Sequence, residues 1–152
     1  MTAKANEFDM LKLKNQLCFP LYACSREVVK RYKPYLDDLG LTYTQYIVMM
    51  VLWEYKSTSI KALGQQLHLD SGTLTPLLKR METDGLLKRS RDTVDERIVN
   101  ISVTEKGEQL MKLAAEIPGK IAQCIPLDAD EAATLYNLLY KVLGQMAHDG
   151  SS

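Results

Sequence analysis

Between residues 59 and 103 the apolar period changes partway along, from helical to alternating. Ile60, Leu63 and Leu67 fall at i, i+3 and i+7. Leu74, Leu77, Leu78 and Met81 repeat that stripe, so short amphipathic helices are predicted over 59–68 and 70–84. Only the turn Leu67-His68-Leu69-Asp70 separates them. Asp70 or Ser71 can cap the second helix and Gly85 can stop it, while Pro76 is tolerable near its start. Beyond Gly85, residues 86–91 and 97–103 read as two short strands, with period two from Val99 on. The mostly polar Asp92-Thr93-Val94-Asp95-Glu96 forms the hairpin tip. A tight turn between helices, followed at once by a hairpin, leaves few packings open: the helices must cross and the hairpin must fold beside them.

The flanks are helical in pattern. Over residues 8–33, Leu13, Leu17, Leu21, Val28 and Tyr32 keep to spacings of four or seven. Pro20 removes the donor that would bond the Gln16 carbonyl, so the helix either kinks there or restarts with a new first turn. Pro34 is expected to end the helix or lie just past its end. Thr42 opens a further helix, with Tyr43, Tyr46, Ile47, Met50, Val51 and Trp53 at core-like spacings. Thr104-Glu105-Lys106-Gly107-Glu108 starts another, running towards Pro118. Asp128 caps a last helix with Leu135, Leu138, Leu139, Val142, Leu143 and Met146 on one face, and residues 149–152 are expected to fray. The fold class is mainly α with a small β-hairpin wing (α+β), a winged helix-turn-helix in a single domain of 152 residues.

Composition narrows the class. A hydrophobic content of 46% supports a core without disulfides and excludes extensive disorder. The longest apolar run, around residues 47–53, is far too short to span a membrane, and the polar start lacks a signal-peptide apolar region. Cys18, Cys24 and Cys124 form no C-x-x-C pair, which argues for reduced thiols in a cytoplasm. Net charge is zero, but residues 1–103 hold 15 basic and 12 acidic side chains, and residues 104–152 hold 4 and 7. An anionic partner is therefore expected on the front two-thirds. There the second short helix shows Thr73, Thr75, Pro76, Lys79 and Arg80 away from its apolar stripe, with Ser71 at its start. The hairpin carries Lys88, Arg89, Arg91 and Arg97. Hydroxyls on a recognition helix reach base edges or phosphates, and a basic wing suits the backbone or minor groove of double-stranded DNA. Arg97 can also pair with Asp95 or Asp92 and stiffen the hairpin; the two roles are compatible.

The run from Leu67 to Glu82, then Asp95-Glu96-Arg97, an Ile/Val-rich strand and Thr104-Glu105-Lys106-Gly107, resembles the MarR family of bacterial repressors. Leu17-Cys18-Phe19, Tyr32-Lys33-Pro34, residues 41–46 and Leu52-Trp53-Glu54 resemble its organic-hydroperoxide (OhrR) type. The resemblance covers about residues 11–120. It implies a homodimer on a pseudo-palindromic operator, with residues 8–35 and 105–149 as dimerisation helices and 42–103 as the DNA-binding lobe. Its DNA-binding residues here are Ser71, Thr73, Thr75, Lys79, Arg80, Arg89, Asp95 and Arg97. Pro20 departs from the pattern, where a small or aliphatic residue is expected.

The resemblance also implies a thiol switch. Cys18 is the sensing residue, oxidised by organic hydroperoxide, and Tyr32 and Tyr43 match the two tyrosines that bond its sulfur. Cys18 and Tyr32 are 14 residues apart, roughly 21 Å along one helix, so that contact must cross a dimer unless the helix breaks. Cys24, on a straight helix too far from Cys18 for a disulfide, is read as structural. Cys124, six residues after Pro118 at the end of the fifth helix, matches a resolving cysteine in position; a packed, inert thiol is the alternative. Without the resemblance, Cys18 reads as a small buried hydrophobe and the tyrosines as packing. Three alternatives stand beside the sensor: a repressor released by a small aromatic ligand, a thiol peroxidase, and a winged helix used for protein contacts. His68 and His148 share no ligand spacing with cysteines or carboxylates, so neither metal nor cofactor is expected.

Overall fold

A computed structural model of the chain describes residues 7–149, with side chains over 8–146. The expected C-terminal fraying and the side chain of His148 lie outside the described residues. The chain divides into two compact units, residues 1–43 and 44–152.

In the first unit, two short 3-10 turns, Glu7–Leu11 and Leu13–Asn15, precede helix α1 (Cys18–Leu39). The helical pattern from residue 8 does not form one helix: Gln16 is extended at φ −95°, ψ 119°, and of the two outcomes expected at Pro20, a kink or a restart, the restart is found. Pro20 explains the break. As the third residue of a new helix it lacks only an N–H that would have no intrahelical acceptor. Pro34, expected to end the helix, lies inside it. The stop is instead Gly40, at φ 67°, where Gly40 N–H donates to the Asp37 carbonyl and Leu41 N–H to the Leu36 carbonyl. That pair of bonds is a Schellman motif, and Leu36 and Leu41 are both buried. The same device recurs later in the chain, where Gly85 N–H donates to the Glu82 carbonyl and Leu86 N–H to the Met81 carbonyl.

The second unit holds most of α2 (Tyr43–Tyr55), then β1 (Ser57–Ser59), α3 (Ile60–Leu67), α4 (Ser71–Thr83), β2 (Leu87–Arg91) and β3 (Val99–Val103). The hairpin is joined by a third strand that the sequence pattern did not announce: order β1-β3-β2, antiparallel, with Ser57 opposite Ser102 and Arg89 opposite Ile101. The helix stripes converge on its base. Val48, Met49, Leu52, Leu63, Leu78, Met81, Leu87 and Ile101 are fully buried, whereas Met50, expected inward, is exposed.

Helix α5 (Glu105–Ala114) is capped by Thr104, whose Oγ1 accepts from Gly107 N–H at 3.1 Å. Gly107 is required by space. A Cβ there would lie 2.3 Å from the Leu86 carbonyl oxygen and 2.9 Å from Val103 Cγ2. The Trp53 indole N–H donates to the Gly107 carbonyl at 2.9 Å, tying α2 to α5. The helix expected to reach Pro118 is two: α6 (Ile117–Ala122) starts afresh with Pro118 at its second position, where no N–H is needed. Cys124 accordingly follows α6 rather than ending α5. Asp128 and Glu131 then form a reciprocal capping box for α7 (Ala129–Asp149). The expected inward stripe of α7, including Leu135, Leu138, Val142 and Met146, faces solvent in the single chain. Among the described residues no helix is long and apolar enough to cross a membrane.

Candidate nucleic-acid interface and thiol site

The turn between α3 and α4 is set by close packing. A Cβ on Gly64 would fall 2.7 Å from the Leu69 carbonyl oxygen and 3.2 Å from Leu74 Cδ1, so α3 and the turn meet over a missing side chain. His68 takes the left-handed conformation at φ 53° and closes α3, its N–H donating to the Gly64 carbonyl. Asp70, not Ser71, caps α4: its Oδ1 accepts from Thr73 N–H at 2.7 Å. With Leu74, Leu78 and Met81 buried, the helix presents Ser71, Thr73, Pro76, Lys79 and Arg80 to solvent, while Thr75 is half-buried. Arg80 pairs along the helix with Asp84 at 3.3 Å.

The wing is braced at three points. Arg89 Nε donates to Glu82 Oε2 at 2.5 Å, pinning β2 to α4. At the tip, Asp92 Oδ1 accepts from Val94 N–H at 2.8 Å and Asp95 N–H at 3.2 Å. These bonds hold the Asp92 carboxyl below its ordinary range. Arg97 forms a fork on Asp95, Nε to Oδ1 and a terminal nitrogen to Oδ2, both at 3.0 Å. Its side chain together with its backbone N–H lowers the Asp95 pKa, and Asp95 in turn raises that of Arg97. The pairing anticipated for Arg97 is therefore with Asp95. A cleft of 1230 Å³ lies between the two short helices and the loop end of β3, lined among others by Lys61, His68, Ser71 and Arg97. Ser71 and Arg97, assigned to one function from sequence, thus border one concavity. Gly64 and Glu82 were missed. A glycine inside a helical stripe was the available signal for Gly64; the seven-residue step from Glu82 to Arg89 carries none.

The thiols are placed differently from two of the expectations. Cys18, Cys24 and Cys124 are all exposed in the single chain, so neither the small-hydrophobe reading of Cys18 nor the structural reading of Cys24 rests on burial. Cys18 is the first residue of α1. Tyr32 and Tyr43 are brought together, ring centroids 5.0 Å apart and edge to face, and burial raises the Tyr43 pKa. Cys18 is not brought to them within the chain, because α1 is unbroken between residues 18 and 32. Cys124 Sγ donates to the Lys120 carbonyl at 3.5 Å. Among the described residues no group of three or more His, Cys, Asp or Glu is arranged to hold a metal ion.

Capped recognition helix, three-stranded wing and the flanking helices define a winged-helix regulator. Residues 30–113 match the SarA/Rot family of transcriptional regulators, and the chain belongs to that MarR-like family. Within it, the chain is 51% identical over 138 residues to the organic hydroperoxide resistance transcriptional regulator of Bacillus subtilis, covering 91% of this chain and 94% of that one. It is 43% identical over 127 residues to the regulator SarZ of Staphylococcus aureus, covering 84% and 86%. Among solved structures it is similar to AbfR of Staphylococcus epidermidis. Reduced AbfR bound to DNA superposes with a TM-score of 0.75 at 36% identity, covering 91% of this chain and 96% of that one. Disulfide-formed AbfR gives 0.65 at 34%, covering 91% and 95%. The relatives are transcriptional regulators, which sets the thiol-peroxidase alternative aside: the chain is a regulator and not an enzyme.

Proposed function

We propose that the chain is a peroxide-sensing repressor, a homodimer that binds a pseudo-palindromic double-stranded DNA operator and leaves it when organic hydroperoxide oxidises Cys18. The observation that carries the reading is the presence, in one chain, of an exposed thiol opening α1 and a capped recognition helix beside a braced basic wing. Ser71, Thr73, Thr75, Lys79 and Arg80 face the major groove. Arg97, oriented by Asp95, reaches the minor groove or backbone, and Arg89 holds the wing to α4. The DNA-bound and disulfide-formed structures of AbfR support both halves of the reading.

The dimer has its own support. About 21 Å of continuous helix separates Cys18 from Tyr32, so the Tyr32–Tyr43 pair can serve only the Cys18 of a second copy. The exposed apolar residues of α7 and of residues 8–22 supply surface for that copy. In the chemical step the Cys18 thiolate attacks the O–O bond of the hydroperoxide. Sulfur gains an oxygen as sulfenic acid, and the alkoxide leaves as an alcohol after taking a proton. Condensation with the Cys124 thiol of the second copy forms the disulfide and releases water. Thiols must start reduced, which suits a cytoplasmic protein.

The test is a gel shift on DNA upstream of the chain's own gene, with and without cumene hydroperoxide. The parent and Cys24→Ser are expected to bind and be released; Cys18→Ser is expected to bind and stay. Release of Cys18→Ser by peroxide overturns the sensor assignment.

A further inference from the structure

The helix that presents hydroxyls and cations to DNA has an apolar centre. At about 100° per residue, Leu74, Leu78 and Met81 mark the buried side of α4, and Pro76 lies roughly opposite them, exposed, with Thr73, Lys79 and Arg80 around it. Pro76 is the sixth residue of α4, past the first turn, so it is not accommodated as a helix start. It removes the donor that would bond the Gly72 carbonyl, and its ring crowds that carbonyl. What it offers outward is a rigid CH₂ surface with neither donor nor acceptor. Of the groups that base pairs display in the major groove, one is apolar: the 5-methyl of thymine.

We propose that Pro76, with the methyl of Thr73 beside it, is a specificity-determining residue that reads thymine 5-methyl groups in the major groove. The assignment deepens the DNA-binding reading and rests on it. The occupant of this face is duplex DNA: the exposed Lys79 and Arg80 place positive charge at its rim, matching the phosphates that flank a groove. A hydrogen-bonding residue at this position would read the O4 acceptor that thymine and uracil share and could not tell them apart; a proline gains only from the methyl that uracil lacks.

The experiment uses the full-length chain and the duplex it selects from a randomised double-stranded pool. Each thymine is replaced in turn by deoxyuridine, which deletes only the methyl. At one or more positions in each half-site the parent should bind about fourfold more weakly, the loss expected for one buried methyl. Pro76→Ala should bind the unsubstituted duplex more weakly by a similar factor and should no longer distinguish thymine from deoxyuridine there. Regaining a backbone donor, that variant keeps its helix, which its circular dichroism should show. A parent indifferent to every deoxyuridine, or a Pro76→Ala variant that keeps the discrimination, overturns the assignment and leaves DNA binding standing. A pool from which nothing is enriched overturns DNA binding and the assignment together.

Discussion

Arg97 stands 91% exposed, yet its guanidinium is fixed in a two-point fork on Asp95. An exposed ion pair contributes little to stability. Its effect is to hold a long side chain in one direction, so that less freedom is lost when it meets DNA. Arg97→Ala should therefore leave the melting temperature unchanged and weaken operator binding about tenfold or more, the discrimination typical of one good base contact, measured by fluorescence anisotropy at physiological salt. Unchanged affinity removes Arg97 from the interface. The neighbouring carboxylates set a pH limit. Asp92 and Asp95 titrate below the ordinary value of 3.8 because backbone N–H groups and Arg97 bond their ionised forms. A depressed folded pKa means that the order they confer is present above that value and is lost as pH falls through the folded pKa values. Protection of the Val94 and Asp95 amides, measured against the unstructured-chain rate at each pH, should hold down to pH 3.8 and be lost only below it. Arg97 and Asp95 were legible because they are near neighbours in sequence with opposite charge. The Glu82–Arg89 pair was not, because it joins two elements across a turn whose geometry only the fold supplies.

At the scale of elements, the two short helices, their turn and both strands were readable, since each helix carries one clear period and a capping residue and the second strand alternates from Val99 on. Pro20 was rightly read as able to restart the helix, but Pro34 was wrongly taken to end it. Pro34 sits inside α1 and Gly40 ends it, because a glycine at positive φ allows the backbone to turn back onto the last carbonyls, whereas an exposed proline removes only one bond. Strand β1 was missed because Ser57-Thr58-Ser59 is too short and too polar to show alternation; its pairing with β3 is a tertiary event. Gly107 was seen as part of a helix start, but its role is close approach. Gly107→Ala gains about 1 kcal/mol in helix propensity, yet its Cβ meets the Leu86 backbone, which cannot swing aside as a side-chain tip can. A net loss of about 1–3 kcal/mol is expected from such overpacking, read as a lower urea midpoint with an unchanged slope. A neutral result would show that α5 shifts freely against β2.

For the whole molecule, the exposed apolar face of α7 and the exposed thiols become intelligible with a second copy. On that reading, stoichiometric hydroperoxide should produce a covalent dimer on non-reducing electrophoresis in the parent. The band should be absent in both Cys18→Ser and Cys124→Ser. A parent that stays monomeric on the gel while releasing DNA overturns the role of Cys124 and leaves a one-cysteine switch. The unbroken run of α1 from Cys18 past Tyr32 also bears on inheritance. If thiol and tyrosines that work together come from different chains, two defective alleles can repair one another. A Cys18→Ser chain still offers its tyrosines, and a Tyr32→Phe/Tyr43→Phe chain still offers its thiol. Neither homodimer has an intact centre, but half the centres of a mixed dimer do. Co-expressing the two should restore peroxide-triggered derepression in cells where each allele alone fails, and a sensor contained within one chain would show no such rescue.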